Sequence, residues 1–503
     1  MLGVWDELQD HWFDYFRNGP YQTWSVLGRA MLDLLVIAVL LWAFMTAVER
    51  ARRPVLRKLG CLAFVAIVLI ALDIVRTRGL RLYGEGFLKL LGKGGVAALA
   101  AALGCGLLYA VFRHDRAVFR KARAGLLFLS ALLPINLATA AWAVYSAWPA
   151  RFYAAKPPLS PAAPPRSAHR VVWIIFDEWD QYLTFENRAK GLALPEIDRF
   201  RGQALFGERV FPPAGNTLES LPSLLTGRII QSAKRTVPND LLLTFADSKK
   251  TEPWSTQPNV FQRARQLGVN AAIVGFYHPY PRILGGDVMQ SFSLSSLTTH
   301  EDDIYWQGIG GLDKLALTIE ESLHRIPLIE RSGLLGERRT KRTFRILYLE
   351  TRAEALKSLQ NRNAGLLLLH LPIPHPPAIF DRARGRVAAD AHGGYEENLA
   401  LMDATLGEFR RTMQANGEWD NSFVLLTSDH PLRGRSASRR PWIPFLLKVP
   451  GQKQTVSYAP AFNSVLSQDL ILAALRGELR AATDVVKWLN RTRSRFPAES
   501  LKK

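Results

Sequence analysis

Cysteine is almost absent from this chain. Its 503 residues contain two, Cys61 and Cys105, and none follows position 105. Both lie inside apolar runs, where a thiol packs as a small hydrophobe, so neither a disulfide framework nor a cysteine-held metal is expected. Acid is also scarce: 44 Asp and Glu against 64 Lys and Arg leave a formal charge of +20. That excess invites a nucleic-acid reading, but no recognised nucleic-acid module is present. The basic residues gather instead beside long apolar runs and in the C-terminal tail. Membrane flanks collect charge in this way, and anionic lipid headgroups suit the remainder. The expected partner is a membrane, with no nucleic acid. The length suggests two or three folding units.

The apolar runs fall in the first third. Residues 1–23 are aromatic and mixed in charge, with Trp5, Trp12, Phe13, Tyr15 and Phe16, which fits a helix in the bilayer interface or an ordinary packed helix. Runs follow at about 27–48, 59–75, 95–112 and 125–147, each near the length that crosses hydrocarbon. They predict a membrane domain over 1–148 with four transmembrane helices. The first run is too long, and too poor in a small-residue cleavage site, for a signal peptide. Loops with Arg50, Arg52, Arg53, Arg57 and Lys58, and with Arg113, Arg116, Arg120, Lys121 and Arg123, are expected to be cytoplasmic. The loop between them carries Arg76, Arg78, Arg81, Lys89 and Lys93, so the count barely discriminates. Arg17 stands nearly alone against several acids at the N-terminus, which tips that end outside. Four spans then return the chain outside. The expectation is an integral protein of the inner (plasma) membrane whose later domain lies on the periplasmic side. A Pro-rich linker, 149–169, separates the two parts.

Residues 170–503 read as an α/β domain with a mainly parallel central sheet. Val171–Phe176 is a continuous apolar run, as in a strand buried on both faces, and it ends in Asp177-Glu178. Phe423–Thr427 ends in Ser428-Asp429-His430, Gly365–Leu371 leads to Pro374-His375-Pro376-Pro377, and Ala271–Gly275 leads to Tyr277-His278-Pro279. Ligands in open α/β sheets bind beyond the carboxyl ends of strands. Four such strands bring carboxylates and imidazoles to one rim, a donor set that suits a divalent ion such as Zn or Mn. His370, within its strand, is expected to be core. Asn398 and Asp403 are expected to be solvated or structural.

A further segment, Asn216–Arg228, runs from a loop broken by Pro212, Pro213 and Gly215 into a short helix that Gly227 stops. Thr217 stands at its start, where free backbone N–H groups favour an anion. By itself this Thr is an ordinary N-cap candidate.

Thr217-x8-Thr226-Gly227-Arg228 resembles the nucleophile segment of the alkaline phosphatase and sulfatase superfamily. Aligned on Leu225-Thr226-Gly227-Arg228, the nucleophile position falls on Thr217. The Pro-x-Arg of sulfatases is missing, since Glu219 and Leu221 stand there. This argues against formylglycine chemistry and fits the branch with an unmodified Thr. That branch includes phosphoethanolamine and phosphoglycerol (lipoteichoic acid synthase-like) transferases and nucleotide phosphodiesterases. The strand into Asp177, the Ser428-Asp429-His430 triplet and the Arg440–Gly451 strand resemble the superfamily in order over about 170–455, although Pro431 replaces the usual Gly. Transferases of this kind often carry disulfides, which this chain lacks.

The resemblance implies that Thr217 is catalytic and that Asp177, Thr217, Asp429 and His430 ligate a divalent metal, with Glu178 the alternative to Asp177. It implies that His375, and more weakly His278, meet substrate phosphate. Arg228 and Arg433 are further phosphate candidates. The implied protein is a membrane-anchored transferase that moves a phosphoryl-linked headgroup from a phospholipid donor to a cell-surface glycan or lipid acceptor through phospho-Thr217. A phosphodiesterase or sulfatase-like hydrolase, and a non-catalytic membrane protein keeping the fold, are the alternatives.

Overall fold

The structure is a computed structural model, described for residues 14–16, 23–74, 76, 85–130, 134, 138, 150–161, 169–294, 337–388, 391–434 and 440–499. The chain divides into two compact units, with a boundary at Trp148/Pro149, and a short N-terminal piece around Tyr15 belongs to the second unit.

In the first unit the helices are Thr23–Arg50, Pro54–Ile74 and Glu85–Ser130. Among the described residues one segment, Pro54–Asp73, is long and apolar enough to cross a membrane. The four-span expectation rests in part on the run 125–147, most of which lies outside the described residues, as does most of 1–23. The charged loop expected at 113–123 is instead helix, continuous within Glu85–Ser130. No Gly or Pro interrupts 107–124, and Ala, Arg, Lys and Leu are strong helix formers. Asp115 in that stretch accepts a hydrogen bond from Arg57 Nε at 2.5 Å, beside a small core of Val48, Phe64, Val68 and Phe119. Large apolar side chains such as Leu35, Leu40, Trp42, Leu103 and Phe128 are exposed.

In the second unit the strands are β1 (Val171–Asp177), β2 (Leu205–Gly207), β3 (Val210–Phe211), β4 (Ile230–Val237), β5 (Asp240–Phe245), β6 (Thr251–Pro253), β7 (Ala271–Phe276) and β8 (Gln290–Leu294). They continue with β9 (Leu366–Pro374), β10 (Phe380–Asp381), β11 (Arg386–Val387), β12 (Phe423–Ser428), β13 (Phe445–Lys448), β14 (Val456–Tyr458) and β15 (Phe462–Asn463). The main sheet has eight strands in the order β14-β2-β13-β12-β1-β9-β7-β8. The run β12-β1-β9-β7-β8 is parallel throughout, and β13 against β12 and β2 is antiparallel. The fold is therefore the α/β class with a mainly parallel sheet.

Alternation along β1 explains the two cores. Val171, Trp173 and Ile175 face one layer of helices (Thr217–Thr226, Val260–Gln266, Ser467–Leu475, Ala482–Thr492), while Val172, Ile174 and Phe176 face the other (Pro195–Arg201, Glu337–Gln360, Tyr395–Ala415). A strand covered on both faces must be apolar at every position, and β1 is buried along its length. Burying its six apolar side chains contributes on the order of 10–18 kcal/mol before chain entropy is subtracted. That anchorage holds the end of the strand, where a carboxylate must be kept out of water.

One stretch differs from the expectation, and the tail adds a helix to the core. The Pro-rich stretch is pinned over part of its length: Lys156 N–H donates to the Pro281 carbonyl and Leu159 N–H to that of Val288, each at 2.9 Å. The tail from Leu470 forms the end of one helix and a second, Ala482–Thr492, whose Val485, Trp488 and Leu489 are core.

Candidate active site and metal centre

β1 and β12 run side by side, with Phe176 level with Ser428, so Asp177 and Asp429-His430 emerge together at the carboxyl ends of two central strands. Ser428 ties these ends together. Its hydroxyl accepts from Trp179 N–H at 2.9 Å and lies 2.8 Å from the carbonyls of both Phe176 and His430. Glu178 adopts φ +58°, a left-handed conformation unusual for a side chain of its size. The turn sends the two acids different ways. Asp177 enters the cluster with Asp429 and His430, whose ligand atoms all lie within 4.8 Å of one another, and Glu178 does not.

The segment Asn216–Arg228 arrives from one of the flanking layers. Asn216, not Thr217, is the N-cap of Thr217–Thr226; its side chain accepts from Glu219 N–H. The Thr217 hydroxyl is thereby free of capping and points into the cluster. At the far end Gly227 has φ +68°, and a Cβ there would meet Gln468 Oε1 at 2.1 Å. Gln468 Nε2 in turn donates to the Leu225 carbonyl at 2.7 Å, closing the last helical turn.

Thr217 Oγ1 lies 2.8 Å from Asp429 Oδ2, 3.3 Å from His430 Nε2 and 3.4 Å from Asp177 Oδ1. His430 Nε2 lies 3.4 Å from Asp429 Oδ2 and 3.7 Å from Asp177 Oδ1. These are five of the six edges of a tetrahedron, and the sixth, between Asp177 and Asp429, is under 4.8 Å. Four donors about 2.0–2.1 Å from a common centre stand about 3.3–3.4 Å apart, whereas Ca²⁺-length bonds would spread them to about 3.8–4.2 Å. The residues fit a small divalent ion. Their protonation chemistry agrees. His430 Nδ1 donates to the Pro431 carbonyl at 3.0 Å, which leaves the lone pair on Nε2, facing the carboxylates. Burial, with Asp429 and Glu178 close by, pushes the Asp177 carboxyl well up. Burial pushes Asp429 the same way, but His430, His370 and the Thr217 hydroxyl outweigh it and hold Asp429 down. Two buried carboxylates in contact favour a cation between them.

Beside the cluster lies a second polar group. Arg433 Nε donates to Glu178 Oε1 at 2.6 Å, and His375 Nε2 is 3.7 Å from the same oxygen. The Arg433 side chain is 51% exposed and that of His375 24%. His375 stacks on Phe344 with ring planes 13° apart. Its loop is held by Asn398, which donates to the His375 and Pro377 carbonyls and accepts from Ile379 N–H at 2.9–3.0 Å. Asp403 accepts from Glu196 and Ile197 N–H, capping Pro195–Arg201. Both residues are buried and structural. Tyr395, one turn before Asn398 on the same helix, bridges the Glu178 carbonyl and Asp180 N–H at 2.6 and 2.9 Å. Arg228 turns away, bonded to Asp247.

The other two histidines lie deeper. His278 is fully buried; Nε2–H donates to the Thr217 carbonyl at 3.1 Å and Nδ1 accepts from the Tyr15 hydroxyl at 2.7 Å. His370 is fully buried, paired through Nδ1 with the Tyr280 hydroxyl at 3.0 Å. Gly275 makes room, since a Cβ there would meet the Tyr280 ring at 2.7 Å and His370 Cβ at 3.0 Å. Burial lowers His278 to about 3 and His370 to about 4.

The family model for sulfatases matches residues 169–471, most of the second unit. The chain belongs to the sulfatase family. It is an enzyme of the sulfatase-like superfamily, whose members use divalent metals. No curated protein sequence matches it. Similar solved structures include an alkaline phosphatase superfamily protein from Vibrio parahaemolyticus (12% identity, 63% of this chain and 68% of that one, TM-score 0.40). The lipoteichoic acid synthase LtaP from Listeria monocytogenes is similar at 12% identity over 62% and 75%, with TM-score 0.41. The phosphonate monoester hydrolase of Agrobacterium radiobacter is similar at 13% identity over 61% and 77%, with TM-score 0.38. In this sulfatase-family chain the hydroxyl of the cluster belongs to Thr217. Oxidation of Thr would stop at a ketone, because its β-carbon carries a methyl group, so formylglycine cannot form there.

Proposed function

We propose that this sulfatase-family protein is a membrane-anchored, metal-dependent phosphotransferase with Thr217 as nucleophile. It moves a phosphoryl-linked headgroup, of phosphoethanolamine or phosphoglycerol type, from a phospholipid to a cell-surface glycan or lipid. The observation that carries the reading is the Thr217 hydroxyl, buried within 2.8–3.4 Å of Asp429, His430 and Asp177. Asp177, Asp429, His430 and Thr217 would hold a divalent ion, Zn or Mn. When bound, that ion favours ionisation of the hydroxyl and offsets charge growing on the phosphoryl oxygens. Asp429 Oδ2 orients the hydroxyl proton and receives it. Thr217 Oγ1 then forms a bond to phosphorus as the P–O bond to the first alcohol breaks, and the proton ends on that alcohol. His375 and Arg433, open to solvent beside the cluster, bind the remaining phosphoryl oxygens. A second alcohol attacks phospho-Thr217 and restores the free hydroxyl.

Anchoring draws on the apolar segment Pro54–Asp73 and on the exposed apolar side chains of the first unit. Tyr15 and Phe16 precede the first apolar helix yet are buried in the core of the second unit. Their burial there supports an even number of crossings before Pro149, as in four spans, and the scarcity of basic residues around Arg17 supports a catalytic unit outside the cytoplasm.

Thr217→Ala in the full chain tests the reading. Turnover and the covalent phospho-enzyme both vanish while metal binding weakens and the fold persists; a variant that still turns over ends it. Labelled phospholipid offered with membranes separates transfer, with label on a surface glycan or lipid, from hydrolysis, with free headgroup phosphate.

A further inference from the structure

Tyr15 lies 263 positions from His278 in sequence and reaches it across the core of the catalytic unit. The turn Asp14–Phe16 is pinned there. Arg282 Nη2 donates to the Tyr15 carbonyl at 2.8 Å, the Phe16 ring packs edge-on to Tyr277 with centroids 4.9 Å apart, and the Arg235 guanidinium covers Phe16 at 4.8 Å. The His278 ring is enclosed by Trp254 and Tyr277, each with its centroid 5.0 Å away. It is left with one orientation and two hydrogen bonds. The Thr217 carbonyl can only accept, so Nε2 carries the proton and Nδ1 must receive one. Tyr15 supplies it.

We propose that Tyr15 is a positioning residue for the nucleophile, acting through His278 on the Thr217 carbonyl. The proposal rests on the reading of Thr217 as nucleophile. The Thr217 carbonyl and the Cβ that carries Oγ1 share one Cα at the start of the helix, so a hydrogen bond to the carbonyl restrains the backbone from which the hydroxyl projects. An imidazole gripping the carbonyl fixes where the hydroxyl points, and small misplacement of a reacting atom costs rate steeply. The hydroxyl of Tyr15 fixes both the tautomer and the tilt of that imidazole. Without it, Nδ1 is a buried acceptor with no partner. The catalytic unit is thus completed by a segment that precedes the first apolar helix.

The test uses full-length, metal-loaded protein and bis(4-nitrophenyl) phosphate as probe. Tyr15→Phe keeps the ring and removes the hydroxyl. Single-turnover formation of phospho-Thr217, and kcat, should fall about 10-fold while KM stays within about 2-fold. His278→Ala should fall further. His278→Gln, whose amide N–H can still donate to the Thr217 carbonyl, should recover part of that loss. A purely structural role would lower melting temperature and leave the single-turnover rate alone. Wild-type rates in both Tyr15→Phe and His278→Ala, with Thr217→Ala inactive, overturn the positioning role and leave the nucleophile standing. Turnover by Thr217→Ala removes both.

Discussion

Two groups of histidine lie at the same sheet rim, on either side of Thr217, and do opposite things. His430 has its Nε2 lone pair turned on two carboxylates and a hydroxyl, with Nδ1 tied back to a carbonyl. His278 and His370 have neutral tyrosine hydroxyls on Nδ1, and burial holds both neutral. Burial alone therefore does not distinguish a ligand from a structural imidazole here, because all three are fully buried. The difference lies in what each ring's second nitrogen meets: carboxyl and hydroxyl oxygens for His430, the Thr217 carbonyl for His278. Convergent lone pairs favour a cation, whereas donor–acceptor pairs among neutral groups favour rigidity.

Breaking the first group should cost most. Asp429→Asn or His430→Ala removes one of four donors and is expected to lower kcat at least about 100-fold, with loss of bound metal by elemental analysis. Excess Zn or Mn should restore part of it. The neighbouring rim predicts a smaller and different loss. Arg433→Ala should reduce kcat/KM by about 10- to 100-fold, chiefly through KM, with metal content unchanged. If Arg433→Ala also empties the site of metal, the rim and the cluster are one device, and their separation here is mistaken.

The comparison also shows what a local reading can reach. β1, β7, β9 and β12 are legible because strands covered on both faces need uninterrupted apolar residues, and their ends carry the acids and imidazoles in view of the reader. The split between Asp177 and Glu178 is not legible. It depends on one positive φ and on Arg433, 255 positions away. The tethering of His278 by Tyr15 is hidden for the same reason, since periodicity carries no information about which distant turn fills a core. Asn398 lies on the polar side of an amphipathic helix, where solvated and structural roles look alike in sequence, and its amide supplies the hydrogen bonds that a tight, proline-rich loop cannot make for itself. The charged stretch at 113–123 reads as a loop by hydropathy, although nothing in its residues breaks a helix. Charge marks solvent there, not chain reversal.

The smallest expected effect sharpens the comparison most. His370 is lowered from its ordinary 6.5 to about 4, chiefly by burial. The unfolded chain takes up the proton near 6.5, and the folded chain resists it until about 4. Stability contributed by the neutral ring is therefore complete above 6.5 and is lost as pH falls through that window, at about 1.4 kcal/mol per pH unit. His370→Phe keeps the ring's bulk and abolishes the titration. At pH 8 it should cost about 1 kcal/mol, because the Tyr280 hydroxyl loses its acceptor. Near pH 4.5 the variant no longer bears a proton-linked penalty of about 2–3 kcal/mol, so it should be the more stable protein. Chemical denaturation across pH 4.5–8 should give curves for the two proteins that cross. Parallel curves would mean that His370 takes up its proton at the same pH in the folded and unfolded chains, so that burial does not hold the ring neutral and it leaves the structural group of histidines.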